Sequence, residues 1–342
     1  MCGINGYIDK TTSKNLSSII HQMNKILIHR GPDDSGFLVK NNIALGMQRL
    51  SIIDIENGVQ PMQNNDKSIS IVFNGEIYNH KNLRKDLISE GVTFKTQSDT
   101  EVIIKLYELY GIKSFSMLDG MFAFSIMDLN INKVLIARDF FGEKPLYYIN
   151  NNETISWASE LKSILSVLNN KPKISKRSLN LFFKLTYIPP PFSIFEGIKK
   201  LESNHFLSID LKTYKTEKKE IKQNFKKYNF ENQKQIKDTI KDSVFSSVKS
   251  RTVSDVPITS FLSGGVDSSI ITYCLAKNSS SRIDTFSIGF QKKSFDESFK
   301  AKIVSKLVGS NHHSIICEEK NMLSHIDDVI LNFDEPFADS SA

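Results

Sequence analysis

Cysteine is scarce in this chain. Its 342 residues include three, Cys2, Cys274 and Cys317, whose odd number and wide separation exclude a disulfide framework and a zinc-ligand spacing. Long hydrophobic runs are lacking too. Nothing approaches the ~20 apolar residues that cross a bilayer, and no basic stretch leads into a signal-peptide core, so no membrane partner is expected and the expected location is cytoplasmic. The third absence is a strong charge of one sign: 44 lysines and arginines against 38 aspartates and glutamates leave +6. Many of the lysines lie in solvated runs such as 211–227 rather than on one basic face, so no nucleic-acid partner is expected. What is present, 40% hydrophobic and 24% charged residues, suits a globular protein with real cores. At roughly 150 residues per domain the length suggests two.

The order of elements divides the same way. Residues 80–90 and 99–110 read as helices stopped by Gly91 and Gly111, and 68–73, 121–127 and 133–137 carry the β-branched and aromatic content of strands, with a hairpin turn at Asn130–Asn132. Met121, Phe122 and Phe124 read as strand core. Three prolines at 189–191 and a lysine-rich stretch then mark the weakest region for core formation. The expected division is a mixed α+β domain over 1–215, a lysine-rich linker over 216–232 and a second domain over 233–342. In the second, helix 233–250, strand 258–262, a helix from 268, strand 285–290, helix 297–308, strand 313–317 and helix 321–333 alternate as in a doubly wound parallel α/β sheet. Cys274 and Cys317 fall in apolar patterns and read as packing residues, and the adjacent His312 and His313 point to opposite faces of a strand, which argues against a metal pair.

Strand 258–262 runs into Ser263-Gly264-Gly265-Val266-Asp267-Ser268-Ser269 and then a helix. Two glycines let the backbone approach an anion at the positive helix end, the three serines supply hydroxyl donors, and Asp267 suits a Mg²⁺ that bridges to phosphate. The run has neither the Gly-Lys-Ser/Thr ending of a Walker loop nor a dinucleotide glycine spacing. It resembles the PP-loop of the ATP pyrophosphatases, which implies ATP binding and release of pyrophosphate. The plainer alternative is a Gly-Ser turn that caps a helix.

Cys2 follows only Met1. Removal of Met1 would place a thiol beside a free α-amine of pKa about 8, so nucleophile and base would share one residue. Cys2-Gly3-Ile4, Arg30-Gly31-Pro32-Asp33-Asp34, Arg49-Leu50-Ser51-Ile52-Ile53, Asn74-Gly75-Glu76-Ile77-Tyr78-Asn79 and Ser98-Asp99-Thr100-Glu101 occur in that order. Together they resemble the class II glutamine amidotransferases, an N-terminal nucleophile family. The resemblance implies an αββα sandwich, Cys2 as nucleophile, Asn74 and Gly75 as oxyanion donors, and a glutamine site made by Arg49, Leu50, Ser51, Ile52, Ile53, Asn74, Gly75, Glu76 and Asp99. Arg49 would take the α-carboxylate, Glu76 and Asp99 the α-ammonium, and the Arg30–Asp33 loop would form a lid. One at a time these residues have plainer readings: Asn-Gly as a turn, Arg49 as a surface ion pair, Asp99 as a helix cap.

The domain order, with Leu118–Phe124, Ala137-Arg138-Asp139, Gly142-Glu143-Lys144-Pro145-Leu146-Tyr147-Tyr148 and Ala158-Ser159-Glu160, is similar to that of the glutamine-hydrolysing asparagine synthetases. This implies that glutamine, aspartate and ATP are the small-molecule substrates, with Mg²⁺ at Asp267. ATP would bind through Leu262, Ser263, Gly264, Gly265, Val266, Asp267, Ser268, Ser269 and Ile288, with Leu262 and Ile288 against adenine. A homodimer stays open. The family's second Ser-Gly-x-Gly-x-Asp-Glu loop is not in the sequence, which stops inside the family motif at Asp334–Ala342, so a C-terminally truncated synthetase domain is expected. Glu202-Ser203-Asn204-His205 departs from the family's Pro-Gly-His turn. The remaining alternatives are an acceptor carboxylate other than aspartate, a free-standing glutaminase, or a non-catalytic protein that holds glutamine and ATP.

Overall fold

The computed structural model describes residues 1–223, 225, 227–294, 296–318 and 326–338. The chain separates into two compact units, Met1–Asn224 joined by the chain from Phe333 onward, and Phe225–Asn332.

The first unit is built from β1 (Gly3–Asp9), α1 (Leu16–Ile26), β2 (Asp34–Lys40), β3 (Ile43–Arg49), β4 (Met62–Gln63), β5 (Ile69–Ile77), α2 (His80–Ser89) and α3 (Asp99–Tyr110). It continues through β6 (Gly120–Asp128), β7 (Lys133–Arg138), β8 (Tyr147–Asn150), β9 (Thr154–Ala158), α4 (Leu161–Leu165), α5 (Lys176–Leu185), β10 (Ile198–Lys200), β11 (His205–Asp210) and β12 (Thr216–Glu220). Two six-stranded sheets result, ordered β10-β8-β9-β1-β3-β2 and β12-β11-β7-β6-β5-β4. The two-residue period of a strand distributes their side chains into three apolar clusters. Ile4 and Ile8 of β1, Ile43, Leu45 and Met47 of β3, Val72 of β5 and Ala123 and Met127 of β6 meet between the sheets. Ile71 and Phe73 of β5 and Phe122, Phe124 and Ile126 of β6 face the other way, onto α2 and α3. Tyr7 and Ala44 pack on α1 and α4. This is the expected αββα sandwich.

The linker expected over 216–232 starts too early. Thr216–Glu220, polar throughout, is β12, paired antiparallel with β11 from His205↔Glu220 to Ile209↔Thr216. An exposed edge strand needs no apolar side chains, so its lysines resembled a solvated tether. Strand 68–73 is longer than expected, because β5 continues to Ile77 and carries Asn74, Gly75 and Glu76 inside the sheet.

The second unit contains α6 (Gln233–Ser250), β13 (Thr259–Phe261), α7 (Val266–Asn278), β14 (Asp284–Phe290), α8 (Ser298–Val308), β15 (Asn311–Cys317) and α9 (Ile326–Asn332). Its described sheet is parallel, ordered β13-β14-β15, with α7 and α8 in contact with each other as well as with the strands. The first part of the helix expected over 321–333 lies outside the described residues. Phe333–Ala338, expected in the second domain, returns to the first unit: Glu335 takes a 2.7 Å bond from Ile194 N–H and pairs with Lys200. No helix among the described residues is long and apolar enough to cross a membrane.

Candidate active site

Antiparallel pairing of β1 with β3, Gly3 opposite Gln48, brings Cys2 to the end of β3. The Leu50 N–H donates to Cys2 Sγ at 3.4 Å, and the thiol reaches Leu50 O at 3.5 Å. Burial pushes the thiol pKa up, against the pull of the Leu50 bond, the terminal ammonium and Arg49. The amine, here on Met1, is pushed down by burial. Arg30 Nε donates to Cys2 O at 2.9 Å and its Nη1 to Glu160 at 2.9 Å, so the nucleophile's backbone is held from the 28–33 loop.

A cavity opens beside the thiol, lined by Met1, Cys2, Arg49, Leu50, Ile52, Ile53, Asn74, Gly75, Glu76 and Asp99. Of the residues expected to hold glutamine, Ser51 is missing from that lining. Its N–H donates to Asp33 Oδ2 at 2.8 Å, so it closes the 50–58 loop rather than facing the cavity. Arg49 is buried and is no surface ion pair: its guanidinium donates to the carbonyls of Ile53 (3.2 Å), Asp54 (2.7 Å) and Ile55 (2.9 Å) and shapes that loop.

Asn74 and Gly75 are not a turn, because both lie in β5 against Ala123 and Phe122 of β6. A Cβ on Gly75 would fall 2.1 Å from Met121 O, so only glycine lets the strands close here. The Asn74 amide nitrogen is buried with no hydrogen-bond partner among the described residues. Such a donor is rare in a folded interior and suits a ligand oxygen. Asp99 opens α3 but is not its cap; Ser98 is, accepting from Thr100 N–H at 3.1 Å. Asp99 Oδ2 instead accepts from Ile77 N–H at 3.0 Å, tying the helix start to the end of β5. Burial raises its carboxyl to about 7, opposed by the Ile77 bond and reinforced by Glu76. Glu76 is itself raised by burial. Two buried carboxyls, of which Glu76 has Lys144 and the terminal amine as positive neighbours, suit a cationic ligand group between them.

Gln60, Phe73, Ser98, Thr100, Met121 and Lys144 also line the cavity. Sequence reasoning missed them as site residues and read Met121 as core. Lys144 carried one signal, its place in the Gly142–Tyr148 motif.

In the second unit, Ser263–Ser269 joins β13 to α7, which begins at Val266, two residues ahead of the expected start. Gly264 has φ +81°, and a Cβ there would meet Lys300 Cβ at 2.5 Å, so α8 presses against the loop. The hydroxyls bond within the loop: Ser263 Oγ to Ser268 Oγ at 2.9 Å, and Ser269 Oγ to Gly265 O at 2.6 Å. Gly265, Val266 and Asp267 are exposed. Leu262 is buried with its N–H on Phe286 O at 2.8 Å, and Ile288 on β14 is exposed. No group of three or more His, Cys, Asp or Glu among the described residues could hold a metal ion unaided. A Mg²⁺ here would need phosphate oxygens beside Asp267.

Residues 1–222 match the glutamine amidotransferase domain family, and residues 239–342 the asparagine synthase family. Over 345 residues the chain is 38% identical to glutamine-hydrolyzing asparagine synthetase 1 of Bacillus subtilis (strain 168), an alignment covering 100% of this chain and 54% of the relative. Glutamine-hydrolyzing asparagine synthetase 3 of the same organism is 32% identical over 361 residues, with 98% and 57% covered. The chain thus spans about half the length of these relatives. A solved structure of the allosteric regulatory enzyme of purine biosynthesis shares the fold at TM-score 0.50 and 16% identity, over 92% of this chain and 80% of that one. The chain belongs to the family of glutamine-hydrolysing asparagine synthetases, with residues 1–222 as its glutamine amidotransferase domain.

Proposed function

We propose that the first unit hydrolyses glutamine to glutamate and ammonia, and that the protein as a whole uses this ammonia to convert aspartate to asparagine at the expense of ATP, in the cytoplasm. The observation that carries the reading is the juxtaposition, in one buried cavity, of Cys2, the unpartnered Asn74 amide and the Glu76–Asp99 carboxyl pair.

With Met1 removed, the Cys2 amine takes the thiol proton and Sγ attacks the side-chain amide carbon of glutamine. The carbonyl oxygen becomes an oxyanion, to which Asn74 Nδ2 and the Gly75 N–H donate. The amine returns its proton to the leaving nitrogen, ammonia departs, and water attacking the thioester releases glutamate. Glu76 and Asp99 hold the substrate α-ammonium, and Arg49 is the cation for its α-carboxylate, using donors that now serve the 53–55 carbonyls or the loop they shape. In the second unit the 263–269 loop takes the ATP phosphates, and Asp267 would be the side-chain ligand for a Mg²⁺ bound with them. That ion would neutralise phosphate charge as the aspartate carboxylate is adenylated and pyrophosphate leaves.

Intact mass and glutaminase turnover test the reading together. The mature chain is expected to lack Met1, and Cys2→Ala to reduce glutamine hydrolysis to background. Retained Met1 in a chain that binds glutamine without hydrolysing it would replace this reading with that of a ligand-holding protein.

A further inference from the structure

Lys144 is a buried lysine without an ordinary reason to be there. The residue is 4% exposed, lines the cavity with Cys2 and Glu76, and the one hydrogen bond its side chain makes among the described residues is to Met1 Sδ at 3.3 Å. A thioether is a weak acceptor, so this contact does little to offset the dehydration of an ammonium. The backbone that presents the side chain is nevertheless firmly held. Lys144 N–H donates to Asp139 Oδ2 at 3.0 Å and Arg138 Nε donates to Lys144 O at 2.7 Å. The same Asp139 carboxylate, fully buried, accepts from Glu143, Phe141 and Phe122 N–H groups, fastening the 139–144 loop to β6.

We propose that Lys144 is a positioning residue of the amide-hydrolysing site: its ammonium, freed from the Met1 sulfur when that residue is removed, faces the new terminus and favours Cys2 as a thiolate beside a neutral amine. The inference rests on the glutaminase reading above and names a second side-chain cation beside the thiol, in addition to Arg49. Arg49, the other cation lining the cavity, is engaged with the 53–55 carbonyls. The terminal amine feels Lys144 and Arg30 as positive neighbours and Asp33 as a negative one. Burial pulls the Lys144 ammonium below the ordinary lysine value, as Arg30 does, while Glu76 from β5, Glu143 from its own loop and the Cys2 thiol favour its charge. Asp99 from α3 opposes thiolate formation. A nearby ammonium disfavours the protonated forms of both thiol and amine, and so counteracts the burial that otherwise keeps the thiol protonated.

The test is the pH dependence of iodoacetamide alkylation at Cys2, read by peptide mass in the full chain so that Cys274 and Cys317 are scored separately. Lys144→Gln is expected to raise the alkylation midpoint by about one pH unit and to move the acid limb of glutaminase kcat/KM the same way; Lys144→Arg is expected to keep both within a few tenths. A folded Lys144→Gln with an unmoved midpoint overturns the proposal. If that variant does not fold, Glu76→Gln supplies the second measurement: loss of the competing anion lowers the midpoint, and an unchanged one overturns the proposal. Glutamine hydrolysis that survives Cys2→Ala would instead remove Cys2 as the nucleophile, the premise of the reading beneath it.

Discussion

The cavity beside Cys2 and the Ser263–Ser269 loop stand in opposite physical settings. In the first unit Asn74, Arg49, Asp99 and Lys144 are all buried, and each is held by a sheet pairing or by backbone hydrogen bonds. In the second, the loop hydroxyls bond to one another near solvent. A preset cavity has its reorganisation done at folding, so removing one group should affect the chemical step. A self-bonded loop must exchange its internal hydrogen bonds for phosphate oxygens when ligand arrives.

The sharpest way to break this contrast is Asn74→Ala. If the orphaned amide is an oxyanion donor set in place by β5, kcat for glutamine hydrolysis falls roughly 10²–10³-fold with KM nearly unchanged. Deleting a donor that bonds nothing in the resting protein leaves thermal stability unharmed. Ser263→Ala in the exposed loop is expected to leave glutaminase kinetics at wild-type values. Steady-state kinetics with a thermal melt check both, and a loss below tenfold in Asn74→Ala would mean that the cavity is not preset.

What the sequence disclosed follows the same division. The sandwich was legible because strands buried on both faces, such as β6 and β7, advertise themselves by apolar content. Cys2, Arg49, Asn74, Gly75, Glu76 and Asp99 were legible through motif resemblance. Edge strand β12 was not, because pairing with β11, rather than its own residues, makes it a strand. Lys144 was not recognised as a site residue because burial singles it out, and burial depends on Asp139 and Arg138 folding the loop back toward β6. Ser51 came to the site with the Arg49–Ile53 motif, and its bond to Asp33 turns its backbone away from the cavity.

Glycines offer a second, smaller probe of the contrast. In Gly75→Ala the new methyl meets Met121 O at 2.1 Å and Phe122 Cα at 2.8 Å, both backbone atoms of β6 that no rotamer change can move. The expected penalty is at least about 1–3 kcal/mol of stability, with β5 displaced and glutaminase lost alongside. In Gly265→Ala the nearest atom is Ser263 Oγ at 3.3 Å, the end of a side chain that can rotate, and φ is −68°. There the expected penalty is below about 1 kcal/mol, the difference between glycine and alanine at a helix cap. Thermal unfolding of the two variants compares them directly, and equal penalties would show that the loop is as tightly set as the sheet.

Asp99 provides the finest measurement, because its charge is bound to both stability and recognition. Burial raises its folded pKa to about 7, well above the ordinary aspartate range. Below about pH 4 the carboxyl is protonated in folded and unfolded chains alike. As pH rises from there to about 7, only the unfolded chain releases the proton, so stability falls across that window and then levels off. Asp99→Asn keeps an oxygen for the Ile77 N–H and removes the titration. The variant is therefore expected to match wild type near pH 4 and to melt about 5 °C higher at pH 8. It should also bind glutamine more weakly, since the α-ammonium loses one of its two carboxylates. In the wild type, glutamine binding should release a proton below pH 7, and its KM should fall as pH rises from 6 to 8. Melting curves at pH 4 and pH 8, beside KM over the same range, decide the matter: a stability gain independent of pH would mean that Asp99 is charged throughout and that the helix start, not the ligand, neutralises it.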